Sequence, residues 1–238
     1  MDHGLSTMDK RASCACRDEW RVFVDGTLRS AVEQMACDER LAQAAAPTVR
    51  VFRWDSPALS LGWKQLRPAW CNHAQTGGVD LVERPTGGGL AVHGSDVSIA
   101  VVVPRAWGDS LRRWMQTVCK GAADLCEGYG VRAECLLDLD RAERIAYCLT
   151  ERSPYAVLAG GRKVAGFAAR RYPQAWLIQG SLVVNPLPSV LQGVLPGELR
   201  ASLATRAVSL AEVAQEPVSD SDVASRWAEI LLRNIFAE

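Results

Sequence analysis

The 238-residue sequence has no long apolar run, no net charge and almost no lysine. No stretch is long enough to cross a bilayer, and the opening MDHGLSTMDKRASCACRDEW holds no apolar core of a secretory leader. The expectation is a cytoplasmic protein without a membrane partner. Lys and Arg together number 27 and Asp and Glu 27, so bulk nucleic-acid binding and an anionic membrane surface are both disfavoured. Eight cysteines are present, but their spacing is irregular, and Cys37, Cys119 and Cys126 sit in apolar, helix-like stretches. They read as reduced thiols rather than a disulfide framework. Cys14-Ala-Cys16 lacks a second pair or a His at ligand spacing. It reads as two spare thiols in a flexible tail over 1–19, and no metal is expected. No linker, charge block or repeat divides residues 20–238, which predicts one domain with one sizeable core.

What is there alternates strands and helices without a regular β-α-β rhythm. Leu28 to Leu41 carries apolar residues at helical steps (Leu28, Ala31, Val32, Met35, Ala36). Val49 to Trp54 and Val79 to Pro85 are strand-like, and VSIAVVV (Val97 to Val103) reads as a strand buried on both faces. Trp107 to Tyr129 is helical and ends near Gly128 and Gly130. Tyr155 to Leu158 and Arg162 to Ala169 flank Gly160-Gly161 as a hairpin, followed by a strand from Trp176 to Val184. A capping-box pattern at Ser209 and a periodic run from Asp222 to Phe236 predict two closing helices. The class is α+β, with mixed, largely antiparallel sheets flanked by helices.

Four segments carry chemistry. RPTGGGLAVHG (Arg84 to Gly94) places Gly87, Gly88 and Gly89 after a strand, with Arg84 before them and His93 beyond. Such a turn can offer backbone N–H groups to a phosphate, carboxylate or oxyanion, although a bare glycine triplet is more often a tight hairpin. In GGRKVAGFAARR, Lys163 lies between a turn and apolar residues, one of only four lysines beside 23 arginines. An amine against an apolar wall can serve as base or acid, whereas an ordinary strand lysine is merely exposed. Cys148 precedes Lys163 by fifteen residues. A loop thiol folded over the hairpin would meet the amine and be activated as a nucleophile; by itself it is one more cysteine among eight. PTVRVFRWDSPALSLGWKQ (Pro47 to Gln65) supplies aromatic and apolar surface for a pocket wall.

At these residues the sequence resembles the biotin/lipoate A/B protein ligase superfamily, in order, from about Trp20 to Val213. MACDERLA (Met35 to Ala42) is similar to its first-helix signature, VRVFRWDSPALSLGWKQ to its first hairpin and RPTGGGLAVHG to its substrate loop. GRKVAGFAARR is similar to its lysine motif, QGSLVVN (Gln179 to Asn185) to the strand after it, and AVSLAEV (Ala207 to Val213) to a segment near the domain end. Within the superfamily the ligases usually bear Asn-Asp where this chain has Cys148-Leu149. The cysteine-dependent octanoyltransferases of the lipoate-ligase-like type place a cysteine there, before a lead-in like Ser153-Pro154-Tyr155. The chain resembles the transferases more closely. Departures are Gly94 after His93, Gln179-Gly180 where His-Gly is common, and Phe167 after the motif glycine.

The resemblance implies transfer of an octanoyl or lipoyl group through a Cys148 acyl-enzyme, with Lys163 moving the proton. Substrate contacts would come from Arg84, Thr86, Gly87, Gly88, Gly89, His93, Gly166 and Gly180. The donor would be the phosphopantetheine thioester of acyl carrier protein, with no further cofactor. The acceptor would be a lipoyl-domain lysine of the glycine cleavage H protein or dehydrogenase E2 type. The alternative is an ATP- and Mg-dependent lipoate–protein ligase in which Cys148 is incidental. A third reading is a non-catalytic module binding lipoyl domains or acyl carrier protein.

Overall fold

A computed structural model describes residues 19–108, 110–137 and 145–237; the N-terminal tail with Cys14 and Cys16 lies outside them. In chain order the elements are β1 (Arg21–Asp25), α1 (Ala31–Ala44), β2 (Thr48–Arg53), β3 (Ala58–Leu61), α2 (Cys71–Thr76), β4 (Asp80–Glu83), β5 (Ala91–His93) and β6 (Asp96–Pro104). After them come α3 (Leu111–Gly128), β7 (Ala133–Leu136), β8 (Ala156–Ala159), β9 (Arg162–Arg171), β10 (Ala175–Val183), α4 (Ser189–Val194), α5 (Gly197–Arg206), α6 (Leu210–Val213) and α7 (Asp220–Phe236). No described helix is long and apolar enough to cross a membrane.

Seven strands form the main sheet in the order β1-β2-β6-β10-β9-β8-β7, antiparallel except for the β1–β2 pair. β6 sits near its middle, between β2 and β10, and its residues from Asp96 to Val103 are buried on both faces. This explains the unbroken apolar run, since neither face meets water. A smaller sheet runs β4-β3-β5. The expected hairpin around Trp54 to Pro57 is not one. β2 belongs to the main sheet and β3 is the centre of the small one, so the chain crosses between sheets there.

α3 and α7 cover one face of the main sheet. Ser110 caps α3 by accepting from the Arg113 N–H, and its apolar stripe places Trp114, Met115, Val118, Ala122 and Leu125 against Val223, Trp227, Leu231 and Ile235 of α7. Each of the larger aliphatic side chains among them contributes roughly 1.5–3 kcal/mol by leaving water.

α1 packs on the other face, with a different face inward than periodicity predicts. A Ser30–Glu33 capping box starts it at Ala31, leaving Leu28 58% and Val32 63% exposed. Ala31, Gln34, Met35, Asp38 and Ala42 turn inward instead. The cause is Arg50, a fully buried cation on β2. Its Nη1 lies 2.6 Å from Asp38 Oδ1 and its Nε 2.9 Å from Asp25 Oδ2, while Gln34 Oε1 accepts a further bond. A charge without water must be paired, so polar partners take positions that hydropathy alone gives to Val32.

Candidate active site

The β8–β9 hairpin turns on Gly160 (φ 56°) and Gly161 (φ 76°), two positive φ values as a tight two-residue loop demands. Past the turn, Leu158 pairs with Lys163 but Val157 pairs with Ala165, so Val164 is an extra residue. This bulge bends β9 directly beside Lys163, a common device for re-aiming a side chain. The buried amine donates to Cys148 O (2.6 Å), Ser153 Oγ (2.7 Å) and Glu151 O (3.3 Å). Three acceptors match the three N–H groups of an ammonium. Lys163 therefore meets oxygens, not the apolar wall expected from its neighbours in sequence.

Cys148 is half-buried on the turn before β8. Its N–H donates to Leu90 O (2.8 Å), and the Leu90 N–H donates to Ala146 O (2.9 Å), which stitches the cysteine turn to the glycine loop. A Cβ on Gly166 would lie 3.3 Å from Lys163 Nζ and 3.4 Å from Cys148 Sγ. Thiol and amine thus converge over one glycine. The six described cysteines form no disulfide, and no group of three metal-binding side chains occurs among the described residues.

The glycine loop joins β4 to β5, but β3 lies between those strands, so the segment is a broad loop and not a tight hairpin. Arg84 is buried within it. Its guanidinium donates to Ser60 O (2.9 Å), Gly87 O (2.7 Å) and Gly89 O (2.8 Å). Burial pushes its pKa below the ordinary value, and the nearby Cys148 opposes that shift. Arg84 is an internal brace that shapes the loop.

His93 is fixed on three sides. It contacts Ser60 Oγ (2.8 Å) and Asp96 Oδ2 (2.8 Å), and its ring stacks on Trp54 with centroids 4.0 Å apart. Burial alone would raise the Asp96 carboxyl. His93, Ser181 and the Gly94 N–H outweigh that and hold it below the usual range.

A cavity of about 410 Å³ opens on Cys148, Arg84 and His93, while Lys163 lies outside its lining. Phe52, Trp54, Ile99, Met35 and Phe167 wall it, and Cys148, Arg84, Gly88, Gly89, His93, Gly166 and Gly180 also line it. Thr86 and Gly87 do not. Thr86 is fully buried and donates to Gln179 Oε1 (2.7 Å), whose amide nitrogen donates to Asp38 Oδ2 (2.7 Å). Gln179, the first residue of QGSLVVN and a departure from the usual His, thus ties the glycine loop to α1. Burial pushes Asp38 up to about 6 against the pull of Arg50 and Gln179. Sequence reasoning missed Ser60, the shared partner of Arg84 and His93. Nothing in ALSL distinguishes it from an ordinary strand serine.

The lipoyl protein ligase A/B catalytic domain family matches residues 25–232. The chain belongs to this family. Among its curated relatives, the octanoyltransferase LipM of Symbiobacterium thermophilum is 32% identical over 92% of this chain and 84% of its own length. That of Kyrpidia tusciae is 30% identical over 88% and 85%. Two solved structures share the fold at low identity. Lipoate-protein ligase A bound with ATP has a TM-score of 0.67 and 19% identity over 92% of this chain and 94% of the other. The bi-partite lipoate protein ligase of Thermoplasma acidophilum has a TM-score of 0.68 and 16% identity over 90% and 84%. The mixed, largely antiparallel α+β architecture expected from the sequence is the family's fold.

Proposed function

We propose that this chain, an octanoyltransferase, works through an acyl-enzyme on Cys148 with Lys163 as its proton carrier. The observation that carries the reading is the convergence of the Cys148 thiol and the Lys163 amine over Gly166, beside an apolar cavity able to take an acyl chain.

In the first step the thiolate attacks the carbonyl carbon of an octanoyl thioester. The tetrahedral intermediate collapses by breaking the carbon–sulfur bond to the donor, and the departing sulfur takes a proton from the Lys163 ammonium. One thioester replaces another, so the exchange is nearly balanced and needs no nucleotide. In the second step an acceptor lysine amine attacks the acyl-enzyme and passes a proton to Lys163. The amide forms, Cys148 leaves as thiolate, and the starting ammonium–thiolate pair is restored. Amide formation drives the sequence forward. Backbone N–H groups of the glycine loop and of Gly166 are the candidates to hold the carbonyl oxygen. The donor in this reading is an octanoyl thioester on the phosphopantetheine arm of acyl carrier protein. The acceptor is a lipoyl-domain protein.

The test is intact-mass measurement after incubation with octanoyl-acyl carrier protein without ATP, in the wild type and in Cys148→Ala. One hydroxylamine-labile octanoyl adduct in the wild type alone is expected. No adduct, together with acylation of a lipoyl domain from free acid and ATP, would replace this reading with the ligase.

A further inference from the structure

The structure assigns a second cavity, which meets the acyl cavity at Leu149 beside Cys148, to the phosphopantetheine arm of the donor. We infer this on top of the transferase reading above. The cavity measures about 510 Å³ and lies between the end of β10 and α5. It shares Val92, Leu149 and Val183 with the first cavity, so the two spaces meet at the residue that follows the nucleophile. Its wall at Ala207 and Val208 is joined to the dyad's own backbone. The Val208 N–H donates to Lys163 O (3.0 Å), and Ala207 bridges Lys163 as an isolated β pair. Arg206, next to that wall, donates to Thr150 O (3.2 Å). The second cavity therefore meets the first at Leu149, and its wall is tied by backbone to Lys163.

A thioester needs that arrangement. Its carbonyl carries two substituents, the acyl chain and the thiol arm, which leave it in different directions. With the chain in the first cavity and the carbonyl at Cys148, the arm must exit elsewhere, and the second cavity opens one residue on, at Leu149. Its chemistry fits a neutral diamide ending in a phosphodiester. Leu187, Leu203 and Val208 give apolar contact. Asn185 and Gln192 use their amide nitrogens on Asp220 (2.7 Å) and Leu187 O (2.9 Å), which leaves side-chain carbonyls to accept from amides. Arg200 has no carboxylate within 4.0 Å among the described residues and suits a phosphate.

The acceptor's lysine fits less well. Its stem would leave most of the volume empty, and the carboxylate in the wall, Glu212, is already held by the Ser209 N–H and hydroxyl (2.8 and 2.7 Å).

The experiment compares acyl-enzyme formation from octanoyl-coenzyme A, which carries the phosphorylated arm, and octanoyl-N-acetylcysteamine, which lacks most of it. The readout is the ratio of kcat/KM for the two donors in wild type, Arg200→Glu and Ala204→Trp, the latter filling the groove from α5. A tenfold or greater fall in that ratio is expected in both variants. An unchanged ratio, including an equal loss with both donors, overturns the proposal. So does slowing confined to transfer onto a lipoyl domain, which would give the cavity to the acceptor. Acylation of the wild type by octanoyl-acyl carrier protein but by neither small donor also overturns the proposal, because the arm then contributes too little. Failure with all three removes the transferase reading, and this proposal with it.

Discussion

Gly166→Ala is the most incisive perturbation of the dyad, because it adds one methyl between two groups without touching either. Gly166 has no positive φ, so alanine fits the backbone, and the loss of glycine's freedom in the unfolded chain contributes about 0.4–1 kcal/mol in favour of folding. The new Cβ would sit 3.0 Å from Lys163 Cε, where ordinary contact begins at 3.4 Å, and also 3.3 Å from Nζ and 3.4 Å from Cys148 Sγ. The lysine must give by a few tenths of an ångström, which stretches a bond of 2.6 Å to Cys148 O. A displacement near 1 Å costs on the order of 100-fold in rate, so a shift of a few tenths of an ångström is expected to cost about 3- to 10-fold here. Gly180→Ala provides the contrast. Its Cβ would lie 2.1 Å from the Phe167 ring, which is itself packed edge-on against Trp227. Overpacking of that kind costs about 1–3 kcal/mol, or roughly 2–4 °C of Tm for each kcal/mol at this chain length. Stopped-flow acylation and thermal unfolding of both variants separate the cases. Wild-type acylation by Gly166→Ala would refute the argument that convergence over this glycine sets the rate.

Lys163→Met should lower acyl-enzyme formation by about 100- to 10,000-fold and slow alkylation of Cys148 by iodoacetamide, since the thiol loses its proton partner. Retention of wild-type alkylation would show that Lys163 does not activate the thiol. Asp38 predicts a pH effect on stability. Its folded pKa of about 6 lies above the 3.8 of an ordinary Asp, so between these values the folded chain binds more protons and stability falls as pH rises. The stabilisation present below pH 4, roughly 3 kcal/mol, is lost on passing pH 6. Urea unfolding from pH 4 to 7 should show this slope in the wild type and a flatter one in Asp38→Asn. An equal slope in both would assign it to another group.

What the sequence made legible was whatever depends on local pattern. The glycine pair of the β8–β9 hairpin, the buried run of β6 and the stripes of α3 and α7 were all readable, because turn chemistry or one-face burial decides them. β1 was not, since RVFVD is an edge strand held only by a parallel partner. α5 was missed too. GELRASLATR buries little beyond Leu199, so no apolar stripe marks it. α1 was found but rotated, because a cation on another strand selected its inward face. At the site, residue types and spacing left Cys148 and Lys163 as a possible pair, and the family resemblance singled them out. Their partners Ser153 and Glu151, and the bulge at Val164, follow from pairing registers that no local pattern encodes.

The glycine triplet shows how a motif's meaning shifts once packing is known. Gly88 needs its φ of 90°, and Gly62 must also be glycine because a Cβ there would lie 2.0 Å from Gly88 O. A Cβ on Gly89 would lie 2.7 Å from the Ala146 carbonyl carbon, inside the segment that carries Cys148. Two carbonyls of the triplet face Arg84, so much of the loop's polarity is spent on an internal cation. Cys148 sits on no regular element, and a free turn would wander further than catalysis tolerates. Its position comes from outside. Leu90 bonds it, Glu151 Oε1 accepts from the Ala146 and Tyr147 N–H groups (3.0 Å each), and the Gln65 amide donates to Ala146 O (2.9 Å). The glycines let the loop approach closely enough to make those bonds. They therefore hold Cys148 in place, and a side chain at Gly89 would disorder its thiol before it touched any ligand.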